Sequence, residues 1–133
     1  MQSVKSRWIL AIGIAAATVC VAAVSSDSPA RKEMKRADLS GAPGMEVITS
    51  VGEYKKGDKI PRHFHHGVET GYIMQGSMVQ LPGKEPMMLE TGAPIMNLRD
   101  APHAGYTVVG DTPLKLFTVH IVDKGKPLYV WVD

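Results

Sequence analysis

The sequence predicts an all-β domain, a sandwich or barrel, and three observations carry that expectation. From Met45 onward, short apolar or alternating segments recur between turn signals at close intervals. Glycine and proline punctuate them, with 13 Gly and 9 Pro in 133 residues. No segment shows the wide apolar stripe of an amphipathic helix, and strands without helices pack as sandwiches or barrels.

The N-terminus stands apart from that domain. Residues 1–8 carry Lys5 and Arg7 and no acid, and an apolar run follows from Ile9 to Val24. A basic start, an apolar stretch and then small residues make the pattern of a secretory signal over residues 1–25. Cleavage is expected after Ala23 or after Ser25, and the competing reading is an uncleaved anchor. The run falls short of the ~20 residues that a spanning helix needs. The expected location is therefore outside the cytoplasm, periplasmic or secreted.

Removing the signal changes the charge. The formal net charge is +2, and Lys5 and Arg7 supply all of it, because all 13 acidic residues lie beyond residue 26. The mature chain is then neutral, which gives no basic surface for nucleic acid or an anionic membrane. The single cysteine, Cys20, leaves with the signal, so no disulfide is expected to hold the exported domain.

Residues 26–44, "SDSPARKEMKRADLSGAPG", read as a short, irregular, polar arm. The domain proper is expected over 45–133. "MEVITSVGEY" reads as a strand and "KKGDK" as a turn. "HFHHGVETGYIMQGSMVQL" reads as two or three strands with Gly67 and Gly76 at bends. After the "PGKEP" turn, "MMLETGAP", "IMNLRDAPHAGYTVV" and "LKLFTVHIV" supply further strands. "PLYVWV" closes the set, and its apolar stretch from Leu128 to Val132 reads as an edge that a second copy would cover, giving a homodimer. The strand methionines Met74, Met78, Met87, Met88 and Met96 are expected to fill the core, there being no Met-x-x-Met cluster to suggest copper handling.

"HFHHGVET" concentrates the chemistry. Side chains alternate along a strand, so His63 and His65 share one face while Phe64 and His66 take the other. Two imidazoles on one face can converge on one ion, and Glu69, after the bend at Gly67, can return its carboxylate to them. His103 and His120 are distant in sequence but within reach of a closed barrel. Imidazole and carboxylate together suit Fe, Mn, Ni, Zn and Cu without choosing among them. His66 is expected outside the cluster. His120 reads as a hydrogen-bonded barrel or surface histidine that has the parity to line a pocket. Arg62 and Arg99 read as surface residues, and Tyr72 and Tyr106 as barrel residues.

The spacing here resembles the first motif of the cupin superfamily, G-(x)5-H-x-H-(x)3-E-(x)6-G, filled by Gly57, His63, His65, Glu69 and Gly76. A partial second motif runs from Gly92 to His103, with Leu98, Asp100 and Thr107 where the family has proline, glycine and asparagine. The resemblance spans roughly residues 45–125. It implies an antiparallel jelly-roll barrel and one divalent transition metal on His63, His65, Glu69 and His103. It further implies a small-molecule substrate or ligand, with Glu69 doubling as a catalytic base if it detaches from the metal. A dioxygenase resembling quercetinase is the reaction the resemblance favours. The competing expectation is a non-catalytic module that holds a metal or ligand.

Overall fold

The structure is a computed structural model that describes residues 27–133. The expected signal over residues 1–25 lies outside the described residues. Eleven strands and no helix make up the described chain. They are β1 (Arg31–Asp38), β2 (Met45–Tyr54), β3 (Lys59–Ile60), β4 (His63–Phe64), β5 (Gly67–Gln75), β6 (Ser77–Gln80), β7 (Met87–Leu89), β8 (Pro94–Asn97), β9 (Tyr106–Val108), β10 (Leu114–Asp123) and β11 (Val130–Trp131).

Every pairing is antiparallel, in one sheet of order β1-β2-β10-β5-β8, one of order β3-β9-β6-β7, and the pair β11-β4. The expected all-β antiparallel architecture is what forms. Alternation decides which residues enter the interior. In β2, Glu46, Ile48, Ser50 and Tyr54 are buried, and in β10 Leu114, Thr118, His120 and Val122 are buried.

Two apolar clusters result. Tyr54, Ile60, Ile73, Val79, Val108 and Leu114 form one, and Ile48, Val122, Leu128 and Tyr129 the other. Between them the large sheet carries an inward row in which Ile48, His120, Glu69 and Asn97 face one another across β2, β10, β5 and β8. The next inward row is Ser50, Thr118 and Gly71. Gly71 is required there, because a Cβ at that position would collide with the Phe117 carbonyl oxygen. Gly67 has a similar role against Ile121, so it permits close strand approach inside β5 and is not the bend the sequence suggested.

Three further expectations are corrected. The arm over 26–44 is not wholly irregular, since Arg31–Asp38 pair with β2 as an edge strand. Its side chains are mostly charged and exposed, so no apolar alternation advertised it; backbone pairing makes the strand. Met74, Met87, Met88 and Met96 do not fill the core, being 44–64% exposed. On β5 and β8 they take the outward parity, while Ile73 and Ile95 point in. The C-terminal apolar stretch is not wholly an uncovered edge. Leu128 and Tyr129 are buried in the second cluster, and Val130 and Trp131 pair with Phe64 and His63. Trp131 stays 42% exposed, and β11 is paired on one side only, with β4.

Candidate metal centre

Three segments bring the expected ligands together. β4 carries His63 and continues to His65, β5 carries Glu69, and His103 bridges backbone to backbone with His63. The bend around His103 uses left-handed backbone at residues other than glycine. Asp100 stands where the family has glycine and adopts φ 57°, and Ala104 adopts φ 61°. Aspartate tolerates this left-handed conformation better than most residues.

His63, His65, Glu69 and His103 each offer a ligand atom, and these atoms lie within 4.8 Å of one another. The imidazoles are oriented by one device used three times. Nδ1 of His63 lies 2.8 Å from the Pro61 carbonyl, Nδ1 of His65 lies 2.5 Å from that of Leu128, and Nδ1 of His103 lies 3.0 Å from that of Ala101. A carbonyl only accepts, so each Nδ1 donates and each neutral ring carries its lone pair on Nε2. Those lone pairs converge on an anion: Glu69 Oε2 is 3.4 Å from His65 Nε2 and 3.2 Å from His103 Nε2.

Yet Nε2 of His65 and of His103 is buried without a hydrogen-bond partner. Lone pairs turned toward a buried carboxylate repel it unless a proton or a cation lies between them. The residues present therefore fit a divalent metal.

The proton affinities agree with a crowded, dry site. Burial lowers His63 to about 4, with the neighbouring His103 and His65 adding to the effect. Burial alone would raise Glu69, but contacts with His103, His120 and His65 outweigh it and hold the carboxyl well below its usual range. Burial would lower His103 too, and Glu69 with the Ala101 carbonyl reverses the sign, leaving it raised.

Three further residues stand at the site, and of these the sequence points only to His120. Asn97 on β8 donates from Nδ2 to Glu69 Oε2 at 2.7 Å. His120 is fully buried, with Nε2 3.4 Å from Glu69 Oε1. Tyr129 packs its ring 4.7 Å from that of His63 and 5.0 Å from that of His65. Asn97 and Tyr129 belong to no metal motif. His120 did show the inward parity of its strand, which was the available signal. The remaining candidates sit at the surface. His66 pairs with Asp100 at 2.9 Å, Arg99 forks onto both oxygens of Asp123, and Arg62 is exposed.

A cavity of about 360 Å³ opens onto His63, Glu69 and His103. Its far walls are apolar, from Ile60, Ile73, Leu89, Ile95 and Leu116, with the phenols of Tyr54, Tyr106 and Tyr129 among them. Burial raises all three phenols, so they stay protonated and can donate hydrogen bonds. Among the described residues, Glu69 is the only carboxylate lining the cavity, and no Lys or Arg lines it.

Among solved structures, the chain resembles an uncharacterized conserved protein with a double-stranded β-helix domain from Klebsiella pneumoniae. The TM-score is 0.50 at 18% identity, over 65% of this chain and 75% of that one. It also resembles an RmlC-like cupin protein from Ralstonia eutropha, with a TM-score of 0.50 at 14% identity, over 80% of this chain and 62% of that one. The DMSP lyase from Ruegeria pomeroyi superposes with a TM-score of 0.48 at 18% identity, over 68% of this chain and 44% of the lyase. The chain thus spans less than two thirds of the length of the last two. No protein-family model and no curated protein matches it. The fold is the cupin fold, a double-stranded β-helix, and within it lies a cluster of three histidines and a glutamate able to take a metal.

Proposed function

We propose that this chain is an exported metal-dependent cupin enzyme that acts on a small organic molecule with one oxygen-bearing head group and an otherwise apolar body. The observation that carries the reading is the convergence of three Nδ1-pinned imidazoles and Glu69 within 4.8 Å of one another, with His63, Glu69 and His103 lining the cavity. His63, His65, Glu69 and His103 would hold the metal. When bound, the metal would supply a Lewis-acid centre and a template and conduit through which electrons pass from the substrate to O2 in a dioxygenase-type oxidation.

The chain's own residues divide the remaining work. Three neutral imidazoles and one carboxylate leave a divalent ion with a single net positive charge, which suits one neutral or singly negative oxygen group. The apolar walls bury the rest of the substrate and exclude water. The protonated phenols donate hydrogen bonds to substrate oxygens. With no Lys or Arg in the wall among the described residues, a second anionic group would find no partner there, which disfavours dicarboxylates and phosphorylated sugars.

Glu69 is a weak proton acceptor where it sits, and among the described residues no second carboxylate lines the cavity for acid–base work. That shortage favours oxidation over isomerisation. It equally favours the second reading, a non-catalytic cupin that holds a metal or ligand. Export is supported by the basic–apolar–small pattern of residues 1–25.

The test is metal analysis of the natively exported protein, then oxygen uptake by the metal-loaded form against small phenols, enols and hydroxyketones. An enzyme consumes oxygen and substrate together over many turnovers. A holder keeps metal and ligand in fixed stoichiometry and consumes neither, and a chain that binds no metal sinks both readings.

A further inference from the structure

We propose that His120 is a positioning residue that restricts Glu69 to one metal-binding oxygen. The inference rests on the metal reading above and extends it.

The two oxygens of Glu69 face different partners. Oε2 is turned toward His65 Nε2 at 3.4 Å, His103 Nε2 at 3.2 Å and the Asn97 amide at 2.7 Å. Oε1 is turned toward His120 Nε2 at 3.4 Å. Strand register sets this division. His120 and Glu69 stand directly opposite each other across β10 and β5, on the inward face of the sheet. Side chains so placed have Cβ atoms about 5 Å apart and meet at their tips.

His120 is also unlike the other histidines. His63, His65 and His103 each give Nδ1 to a backbone carbonyl, and His66 pairs with Asp100. Among the described residues neither nitrogen of His120 makes a formed hydrogen bond, although the residue is 0% exposed and its Nε2 lies 3.4 Å from Glu69 Oε1. Leaving a buried polar group unpaired is costly, and a leucine would fill that space at no such cost. His120 is not a natural fourth imidazole ligand either. It falls outside the group whose ligand atoms converge within 4.8 Å, its ring contacts that of His65 at 4.7 Å, and it does not line the cavity. It lies beneath the cluster, against the carboxylate oxygen that the other ligands leave free.

Once a cation draws Oε2, a neutral imidazole only 3.4 Å away can turn Nε2–H onto Oε1 and tie up that oxygen. Glu69 then offers only Oε2 to a cation. A carboxylate free to rotate can bind through both oxygens and occupy one more coordination position, which a substrate would otherwise use. His120 thereby acts on the number of open positions without touching metal or substrate.

Cobalt(II) is the probe, because its visible spectrum reports coordination number independently of activity. It is titrated into the metal-free chain and into the variants His120→Leu, His120→Gln, Glu69→Ala and the double variant His120→Leu/Glu69→Ala. The leucine variant should bind cobalt roughly 10–100-fold more weakly, with a shifted visible spectrum. The glutamine variant, whose side-chain amide can still donate to Oε1, should retain both affinity and spectrum to within a few fold. In the Glu69→Ala background, the added His120→Leu change should cost no further affinity.

If His120→Leu matches the wild type in affinity and spectrum, the proposal is overturned. The same holds if it costs as much without Glu69 as with it. Should the leucine variant not fold, His120→Asn, polar but too short to reach Oε1, replaces it, and identical behaviour of the Asn and Gln variants is then the overturning result. A wild-type chain that does not bind cobalt overturns the metal reading itself, which is a distinguishable failure.

Discussion

Asn97 and Glu69 face each other across β8 and β5, and the amide Nδ2 of Asn97 donates to Glu69 Oε2 at 2.7 Å. That is the oxygen His65 and His103 also face, so Asn97 orients the carboxylate from the side opposite His120. A hydrogen bond from a neutral donor to a buried carboxylate contributes about 1.5–3 kcal/mol. Asn97→Ala should therefore weaken metal binding roughly 10–100-fold while leaving the strands intact. Competition against a chelator of known affinity measures it. Binding within twofold of the wild type would show that the amide is incidental.

The two neighbouring histidines of "HFHH" should behave in opposite ways. His65 is 1% exposed and turns Nε2 into the cluster, whereas His66 bonds Asp100 at the surface. His65→Ala should empty the site or weaken it by orders of magnitude, and His66→Ala should leave occupancy near normal. Metal per chain after equal dialysis decides between them. The reverse outcome would mean that the register of β4 is wrong.

Acid should weaken the metal-free fold in a defined window. His63 is lowered from 6.5 to about 4 by burial, so between those values the unfolded chain takes up a proton that the folded chain refuses. Its contribution to stability is complete above pH 6.5 and is lost as pH falls toward about 4. His120, lowered by burial, acts with the same sign. His103 is raised, so it adds stability at low pH that disappears as pH rises through its folded value. The observed slope is the difference of these contributions. Urea midpoints across the window should show His63→Gln flattening the slope and His103→Gln steepening it, each by at most about 1 kcal/mol per pH unit. With metal bound, the loss should be steeper, because protons then also displace the ion. Equal slopes in wild type and both variants would contradict this assignment.

Much of this site was legible because its spacing is set by strand geometry. Parity alone placed His63 and His65 on one face, and the motif spacing added Glu69 and His103. What escaped notice lacked a local signature. β1 is held by backbone pairing with β2, and its exposed, charged side chains give no periodic signal. The outward methionines were misread because β5 carries Tyr72 and Met74 outward beside an inward Ile73, so hydrophobicity along that strand does not alternate. Asn97 meets Glu69 only through the register of β8 on β5, a relation between segments that neither segment encodes alone.

The N-terminal residues of the expected mature chain offer the last prediction. The Arg31 side chain is 4% exposed, donates to the fully buried Ser50 hydroxyl at 2.5 Å and pairs with Asp27. Asp27 also accepts from the backbone of Ser28, so a tight Asp27–Arg31 unit is folded against β2. Signal cleavage after Ala23 or Ser25 would preserve this unit, while cleavage a few residues later would remove Asp27 and leave the Arg31 guanidinium only the longer, 3.4 Å contact to Glu33. The mass of the natively expressed protein should therefore correspond to a start at Val24 or Ser26. A mature chain still carrying Trp8 would sink the signal reading in favour of an anchor. Arg31→Ala in that mature form removes charged hydrogen bonds and strands Ser50, at a cost of about 2 kcal/mol. In a domain of this size that lowers the melting temperature by roughly 10 °C. Arg31→Lys should recover only part of it, since one ammonium cannot bond Ser50 and fork onto Asp27 together. A melting temperature unchanged in Arg31→Ala would show that the start of β1 is not part of the folded unit.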